Sequence, residues 1–181
     1  MIFKYYYKIL LILSLITSSC KNECGNGCPT WEICGQGYQD MFSTTYECKP
    51  ILNKFINEYY GNGTVSFENF NNINSETSIL LSRNDNDGTN TMNMQVSLND
   101  SLILLNPNLT IVFVSENSGE FLIPAQTIYT KVYVPSNGNT VYTNVVYDGN
   151  GIVTDSESNN LNMNFNYTFF DQSANLHFIA Y

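Results

Sequence analysis

The stretch LNMNFNYTFF, residues 161–170, alternates between apolar and polar side chains as far as residue 169. Successive side chains of a β-strand point to opposite faces of the sheet, so this period of two predicts a strand with one dry and one wet face. The dry face carries the apolar side chains Leu161, Met163, Phe165, Tyr167 and Phe169. The wet face carries Asn162, Asn164, Asn166 and Thr168.

The same period of two recurs upstream and downstream of this stretch. It predicts further strands over residues 92–98, 109–113, 128–134, 140–148 and 176–181. Turn signals rich in Asn, Asp and Gly separate the runs at residues 84–88, 99–100, 117–119, 137–138 and 148–151. About seven or eight antiparallel strands at this spacing predict an all-β domain, either a β-sandwich or a barrel.

A different period precedes the strands. In ILNKFINEYYGNG, residues 51–63, the side chains of Ile51, Phe55 and Tyr59 recur at helical spacing. Pro50 stands before this run and Gly61 after it, and these residue types are typical of helix starts and ends. The sequence therefore predicts one short helix, with a first strand as the alternative.

The N-terminal residues have the order of an export signal. Lys4 and Lys8 come first, the apolar run ILLILSLI follows, and small residues lead to Cys20. The apolar run is shorter than the roughly 20 residues that span a membrane, so residues 1–19 are predicted to be a signal peptide. A cysteine directly after such a signal resembles the lipidated residue of bacterial lipoproteins, which predicts a membrane anchor on Cys20. The alternative is a secreted protein in which Cys20 is an odd thiol.

Four further cysteines follow Cys20. An even number of cysteines in an exported chain predicts two disulfides, and four cysteines allow three pairings. We favour Cys24–Cys34 with Cys28–Cys48, because crossed bridges best hold a small loop that has no core. Zinc is the alternative, but the spacing C-x3-C-x5-C-x13-C lacks the paired short knuckles of structural zinc sites.

The charge of the chain argues against nucleic acid as a partner. There are 7 Lys and Arg against 16 Asp and Glu, which gives a formal net charge of −9. A chain this acidic is repelled by phosphate backbones. Net charge influences solubility and the steering of partners, and it does not determine the fold.

No catalytic constellation is evident in the sequence. His177 is the single histidine, and in LHFIAY it alternates away from Leu176 and Phe178 as a surface residue of a strand would. There is no Gly-x-Ser-x-Gly elbow, and a histidine pair for a metal cannot form. We therefore expect a protein that is not an enzyme and has no cofactor. A hydrolase would instead need Asp or Glu side chains clustered in a cleft.

Two loops carry weaker signals. RNDNDGTN, residues 83–90, suggests calcium, but Met94 stands where an EF-hand loop needs Glu, so a hairpin turn is the default. No metal site is predicted. Asp100-Ser101-Leu102 resembles the Asp-Ser/Thr-aliphatic O-glycosylation site of the Bacteroidota, which makes Ser101 a candidate for modification.

The order of these parts resembles that of small surface lipoproteins of the Bacteroidota. GEFLIPAQTIY, residues 119–129, looks like their F-x-I-P-x-Q element, and TVYTNVVYDGNG, residues 140–151, looks like their late Y-x-V-x-D-G strand. Residues 24–50 resemble a shortened EGF-like module, and Lys21-Asn22-Glu23 resembles the Lys-plus-acid tag that directs lipoproteins to the cell surface.

The resemblance implies three regions: a signal peptide over residues 1–19, a lipidated Cys-rich module over residues 20–49, and a lipocalin-like or sandwich-like β-domain over residues 50–181. It also implies an outer-membrane lipoprotein that is exposed at the cell surface. We expect a non-catalytic module that binds a protein or glycan partner. The alternative is a lipocalin-like carrier of a small apolar ligand, which would need an internal cavity of several hundred Å³ (on the order of a drug-sized pocket).

Overall fold

The structure is a computed structural model, and it contains two compact units. One unit extends up to Ile51 and the other begins at Leu52. The structure describes residues 24–25, 27–39, 44–68, 70–83, 90–98, 106–116, 118–154, 160–170 and 172–181. The predicted signal peptide, Cys20, Ser101 and the greater part of the 83–90 loop lie outside the described residues. Among the described residues, no helix is both long and apolar enough to cross a membrane.

The N-terminal unit is a hairpin of two antiparallel strands. Strand β1 spans Glu32–Gln39 and β2 spans Thr44–Pro50. Cys34 of β1 lies directly opposite Cys48 of β2, yet the two are not bonded to each other. Cys24 is bridged to Cys34 and Cys28 to Cys48, which is the crossed pairing favoured from the sequence. The segment before β1 is thus attached covalently to both strands at the same position of the ladder.

The two bridges take the place of a hydrophobic core in this unit. Among the residues from 24 to 50 whose burial the structure describes, none is fully buried. A unit so small needs covalent staples, and each disulfide contributes about 2–4 kcal/mol. The Sγ atoms of Cys24, Cys28 and Cys48 lie within 4.8 Å of one another. All three belong to disulfides in this structure, so none of them offers a thiolate to a metal ion.

The second unit is a closed antiparallel barrel of eight strands, in the order β10-β3-β4-β5-β6-β7-β8-β9. Its strands are β3 Asn57–Phe67, β4 Ile73–Ser82, β5 Thr91–Leu98, β6 Asn108–Phe113, β7 Glu120–Val134, β8 Asn139–Val153, β9 Leu161–Phe169 and β10 Gln172–Ala180. Strand β10 pairs with both β9 and β3, so the sheet closes on itself. The all-β fold is confirmed, and of the two predicted architectures the barrel is the one observed.

The prediction for residues 161–169 is confirmed position by position. Along β9 every odd-numbered side chain is buried and every even-numbered side chain is exposed. Burial is the main favourable term in folding, so this strict alternation ties the register of the strand to the core. The interior is filled largely by fully buried aromatic side chains: Tyr59, Phe113, Phe121, Tyr147, Phe165, Tyr167, Phe169 and Phe178.

The short helix predicted from Ile51, Phe55 and Tyr59 is correct only in its first turn. A 3₁₀ helix spans Ile51–Phe55, and its Phe55 ring stacks on Phe113 with centroids 5.1 Å apart. Tyr59 instead belongs to β3, where alternate side chains from Tyr59 onward are buried. A spacing of four residues satisfies both a helical and a strand period, so the pattern could not separate the two.

The turn predicted at residues 148–151 is wrong, because these residues lie inside β8. Gly149 and Gly151 are inward-facing positions of the strand rather than turn residues. A Cβ at Gly149 would collide with the backbone of Phe165, and one at Gly151 with the ring of Phe121. The two glycines therefore allow close packing of the barrel wall, which is a known use of glycine within strands.

Candidate binding face on the barrel exterior

The F-x-I-P-x-Q element marks the point where β7 leaves β6. The pairing of β7 with β6 consists of Leu122 opposite Val112 and Phe121 opposite Phe113. The pairing of β7 with β8 shifts register between Ile123 and Gln126, which is a bulge around Pro124. Proline has no backbone N–H to donate to a ladder, so a bulge is where a sheet tolerates it.

The Gln126 side chain continues the ladder that Pro124 interrupts. Its Oε1 accepts a hydrogen bond from Thr110 N at 2.9 Å, and its Nε2 donates one to Thr110 O at 2.9 Å. Nε2 also donates a hydrogen bond to Pro124 O at 3.2 Å. The primary amide thus imitates a peptide group of a neighbouring strand. The element that resembles the lipoprotein family therefore has a structural role at the junction of β6 and β7.

Beyond Gln126, β7 and β8 form a long hairpin that is paired without interruption as far as Val134 and Asn139. The Asn137-Gly138 turn is where the sequence predicts it, and Gly138 has φ of +69°. Val132 and Val134 are buried, and the Tyr133 ring meets Phe67 edge-on with centroids 6.5 Å apart. These contacts fix the position of the hairpin on the barrel.

Two tyrosines stand exposed on the outer face of this hairpin. Tyr129 is 69% exposed and Tyr142 is 65% exposed. Their rings stack with centroids 6.0 Å apart and an angle of 24° between the ring planes. Tyr142 lies opposite Lys131 and Tyr129 lies opposite Asn144, so the tyrosines are diagonal neighbours across the hairpin. We refer to Tyr129 and Tyr142 as the tyrosine pair.

The outer row of β8 leads from Tyr142 onto a broad surface without lysine or arginine. We define the amide face as the outward side chains at positions 144–150 of β8, 162–168 of β9 and 173–177 of β10. Its amide and hydroxyl groups belong to Asn144, Asn150, Asn162, Asn164, Asn166, Thr168, Ser173 and Asn175. Asp148 and His177 are its two ionisable side chains, and Val146 is its apolar one.

The amide side chains form a regular array. Asn166 lies opposite both Asp148 on β8 and Asn175 on β10, and Asn175 Nδ2 donates to Asn166 Oδ1 at 3.0 Å. Neighbouring strands are spaced by about 4.8 Å, and outward residues on one strand recur about every 6.8 Å. A groove of about 440 Å³ runs over part of this array and is lined by Asp148, Asn166, Thr168, Ser173 and Asn175, among others.

This choice of residue type runs against strand propensity. Asparagine is depleted in strands, whereas Thr is enriched there and is equally polar at an exposed position. Here three Asn residues alternate along the wet side of β9 alone. Each amide offers two donors and an acceptor, which makes the array able to hydrogen bond a ligand rich in hydroxyl groups.

Two further grooves open on the exterior. One of about 450 Å³ is lined by Leu122, Ile152 and Asn164, among others, and one of about 370 Å³ by Tyr60, Ser78 and Tyr181, among others. The residues that line them are mainly outward positions of the strands. The carrier alternative needs space inside the barrel, whereas these three grooves lie on its exterior.

Two buried hydroxyl groups lie inside the barrel. Tyr147 and Tyr167 are opposite each other on β8 and β9, with ring centroids 6.1 Å apart. Neither hydroxyl has a hydrogen-bond partner among the described residues. Burial raises the pKa of both phenols well above the ordinary value, and the nearness of Tyr147 raises that of Tyr167 further.

Of the site residues predicted from the sequence, the four cysteines of the N-terminal unit come together in pairs, and Cys20 and Ser101 lie outside the described residues. His177 is half-buried on the outside of β10 between the buried Leu176 and Phe178, as its alternation predicts. Lys131, Tyr129 and Tyr142 were not identified from the sequence as a site. One signal in the sequence could have placed the two tyrosines together. Pairing the residues on either side of the Asn137-Gly138 turn, and extending this pairing away from the turn, brings Tyr129 and Tyr142 to diagonal positions.

Comparisons with known proteins give a limited result. No protein family model matches the chain, and no curated protein sequence matches it. A solved structure, that of a candidate outer membrane protein from Bacteroides fragilis NCTC 9343, resembles it with a TM-score of 0.49 and 12% sequence identity. That match covers 85% of this chain and 76% of the other. A likeness of this degree does not establish a shared function.

Proposed function

We propose that this protein is a non-catalytic lipoprotein, anchored in the outer membrane through Cys20 and exposed at the cell surface, whose barrel binds a partner. The observation that carries the proposal is the tyrosine pair beside the amide face. Exposed aromatic side chains held in one place by paired strands are typical of binding hot spots. Both tyrosines remain about two-thirds exposed, so their ring surfaces are available to a ligand.

The arrangement of ionisable groups supports binding rather than catalysis. On the amide face Asp148 lies on β8 and His177 on β10, with β9 between them. Two interstrand spacings amount to about 10 Å, whereas proton transfer between groups needs about 3 Å. The two side chains are also on different rungs of the ladder. They therefore do not form an acid–base pair.

The proposed anchor rests on the N-terminal sequence. The order of lysines, apolar run, small residues and Cys20 is that of a lipoprotein signal. Each buried methylene of a lipid contributes about 0.8 kcal/mol, and one acyl chain binds only marginally, so several chains on one cysteine are needed for stable attachment. The acidic charge of the chain makes nucleic acid an unsuitable partner.

Protease accessibility on intact cells tests the proposal. Cells that express the full chain are treated with a protease, and a soluble periplasmic protein in the same cells serves as the control. We expect the barrel to be digested while the control survives, and the Cys20→Ala variant to be lost from the membrane fraction. Protection of the barrel in cells whose surface proteins are digested would rule out surface exposure.

A further inference from the structure

We propose that the tyrosine pair and the amide face together bind a neutral polysaccharide, with the sugar stacked on Tyr129 and Tyr142 and its hydroxyl groups bonded along β8 and β9. This inference rests on the proposed binding function and specifies its ligand. It is carried by the combination of two exposed stacked rings and an adjoining surface of amide and hydroxyl groups.

The tyrosine pair offers the kind of surface on which a sugar ring stacks. A pyranose ring has C–H groups on its faces and hydroxyl groups around its edge, so it needs an apolar platform with polar groups beside it. The two rings lie within 24° of parallel. Tyrosine also loses little side-chain entropy on binding, because only two torsions are fixed.

The amide face supplies the polar part of the site. Sugar hydroxyl groups are both donors and acceptors, and asparagine side chains are likewise both. From Tyr142 the outer row of β8 continues through Asn144 and Val146 to Asp148. On β9, Thr168 lies opposite Val146 and Asn166 lies opposite Asp148. A ligand bound to the tyrosine pair can therefore extend along the strand direction and keep its hydroxyl groups paired.

The charge distribution favours a neutral ligand over an acidic one. The chain carries a net charge of −9, and the amide face contributes a carboxylate, Asp148, without any Lys or Arg. Lys131 is the one basic residue of the hairpin. A polyanion would be repelled by the field of the whole protein, whereas a neutral chain is not.

The amide face is poorly suited to a stable protein interface. Such interfaces bury about 800 Å² on each partner around an apolar core from which charged and polar groups are depleted. Within the tyrosine pair and the amide face the exposed apolar groups are Tyr129, Tyr142 and Val146, and the other side chains are amides and hydroxyls together with Asp148 and His177. Ile152, Phe170 and Ile179 are exposed apolar side chains at the edges of this surface. Each of the amide and hydroxyl groups would need its own partner, since an unpaired buried polar group costs about 1–3 kcal/mol.

Affinity electrophoresis tests the inference. The full chain in Triton X-100 is run on native gels that contain soluble β-glucan, xylan or mannan, and on gels that contain polygalacturonate. We expect at least one neutral polysaccharide to retard the chain, and Tyr129→Ala or Tyr142→Ala to weaken this binding roughly tenfold or more, as loss of a hot-spot side chain does. The matched control is Tyr60→Ala, an exposed tyrosine on β3, which we expect to leave mobility unchanged.

The outcomes separate this inference from the function on which it rests. Retardation by none of the neutral polysaccharides, or stronger retardation by polygalacturonate, would overturn the inference. Retardation that Tyr142→Ala and Tyr129→Ala leave intact would overturn the assignment of the site. If the chain is digested on intact cells in either case, the proposed surface location still stands. If it is protected there, the location fails whatever the gels show.

Discussion

The side-chain amide of Gln126 holds the backbone of Thr110 through two hydrogen bonds, each of 2.9 Å. It does so next to Pro124, at the position where the β6–β7 ladder has lost its backbone pairing. Gln126 therefore helps to close the barrel between β6 and β7, which share only two pairs of opposite residues among those described. The hairpin that carries the tyrosine pair continues beyond this residue.

Gln126→Ala tests this role directly. We expect a loss of about 1–3 kcal/mol in the free energy of unfolding, because two hydrogen bonds at about 0.5–1.5 kcal/mol each are removed. Gln126→Glu keeps an acceptor for Thr110 N and leaves Thr110 O without its donor, so we expect an intermediate loss. Urea denaturation gives both values. Gln172→Ala is the control, since that side chain makes one bond of 3.3 Å to Ser136, and an equal loss there would contradict the special role of Gln126.

Glycine within β8 provides a second prediction. Gly149→Ala and Gly151→Ala place a Cβ against the backbone of Phe165 and the ring of Phe121. Overpacking of this kind costs about 1–3 kcal/mol. Asn150→Ala, between the two on the exposed side of the same strand, is expected to change the free energy of unfolding by less than about 0.5 kcal/mol. Three variants of equal stability in urea would show that the wall is not tightly packed there.

Replacement of the two buried tyrosines is expected to increase stability at neutral pH. Neither the hydroxyl of Tyr147 nor that of Tyr167 has a partner among the described residues, so each carries a desolvation cost. Replacing either tyrosine by phenylalanine removes the hydroxyl and keeps the ring. We expect Tyr147→Phe and Tyr167→Phe each to raise the free energy of unfolding by up to about 1 kcal/mol. A loss in thermal or urea denaturation would mean that the hydroxyl is bonded in solution.

The same phenols predict an alkaline limit of stability. The pKa of each is raised in the folded state by burial, so the folded protein holds these protons more tightly than the unfolded chain does. The free energy of unfolding is therefore unaffected by the titration of these phenols below their unfolded pKa of about 10. It decreases as pH rises above that value towards the folded pKa, because only the unfolded chain then loses the protons. We expect stability to fall steeply above about pH 10 and the double variant Tyr147→Phe/Tyr167→Phe to show a shallower fall. Urea denaturation midpoints of the unsubstituted protein and the double variant, measured from pH 8 to 11, check this expectation. Equal decreases with pH in both proteins would show that the phenols are not responsible.

The disulfides of the N-terminal unit can be tested separately from the barrel. Trp31 is the single tryptophan of the chain and lies in that unit, so its fluorescence serves as the probe of that unit. We expect reduction with dithiothreitol to change Trp31 emission and to leave the urea midpoint of the barrel, followed by circular dichroism, nearly unchanged. The barrel has its own buried core and no disulfide among its described residues. A matching shift in the barrel midpoint would contradict the independence of its stability.

Prediction from the sequence succeeded where one face of a strand is wholly apolar. Strand β9 buries Leu, Met, Phe and Tyr on alternate positions, and its pattern predicted the structure residue by residue. Strand β4 was not predicted, because its inward row includes Ser75 and Thr77. Thr77 Oγ1 donates to Ser75 O at 3.1 Å, so the polar group is paired inside the wall and the alternation of hydropathy disappears.

Contacts between residues that are distant in the chain could not be predicted from the sequence. The bonds of Gln126 to Thr110 and the contact of Gly151 with Phe121 join residues far apart in the chain, and no local pattern reports them. The tyrosine pair was within reach, because the Asn137-Gly138 turn fixes which residues of β7 and β8 face each other. The amide face was visible as the wet side of β9, but its extension onto β8 and β10 depends on the closure of the barrel.

The crossed disulfides also determine how a pull on the N-terminal side of the chain is transmitted. Tension that enters at Cys24 passes through Cys28 and its bridge to Cys48, and so reaches Pro50 without loading residues 29–47. At about 3.5 Å per residue this shortest covalent path is about 27 Å, against about 90 Å along the unbridged chain. The length of chain that can be pulled out between Cys24 and Pro50 is therefore limited by a single sulfur–sulfur bond, that of Cys28–Cys48.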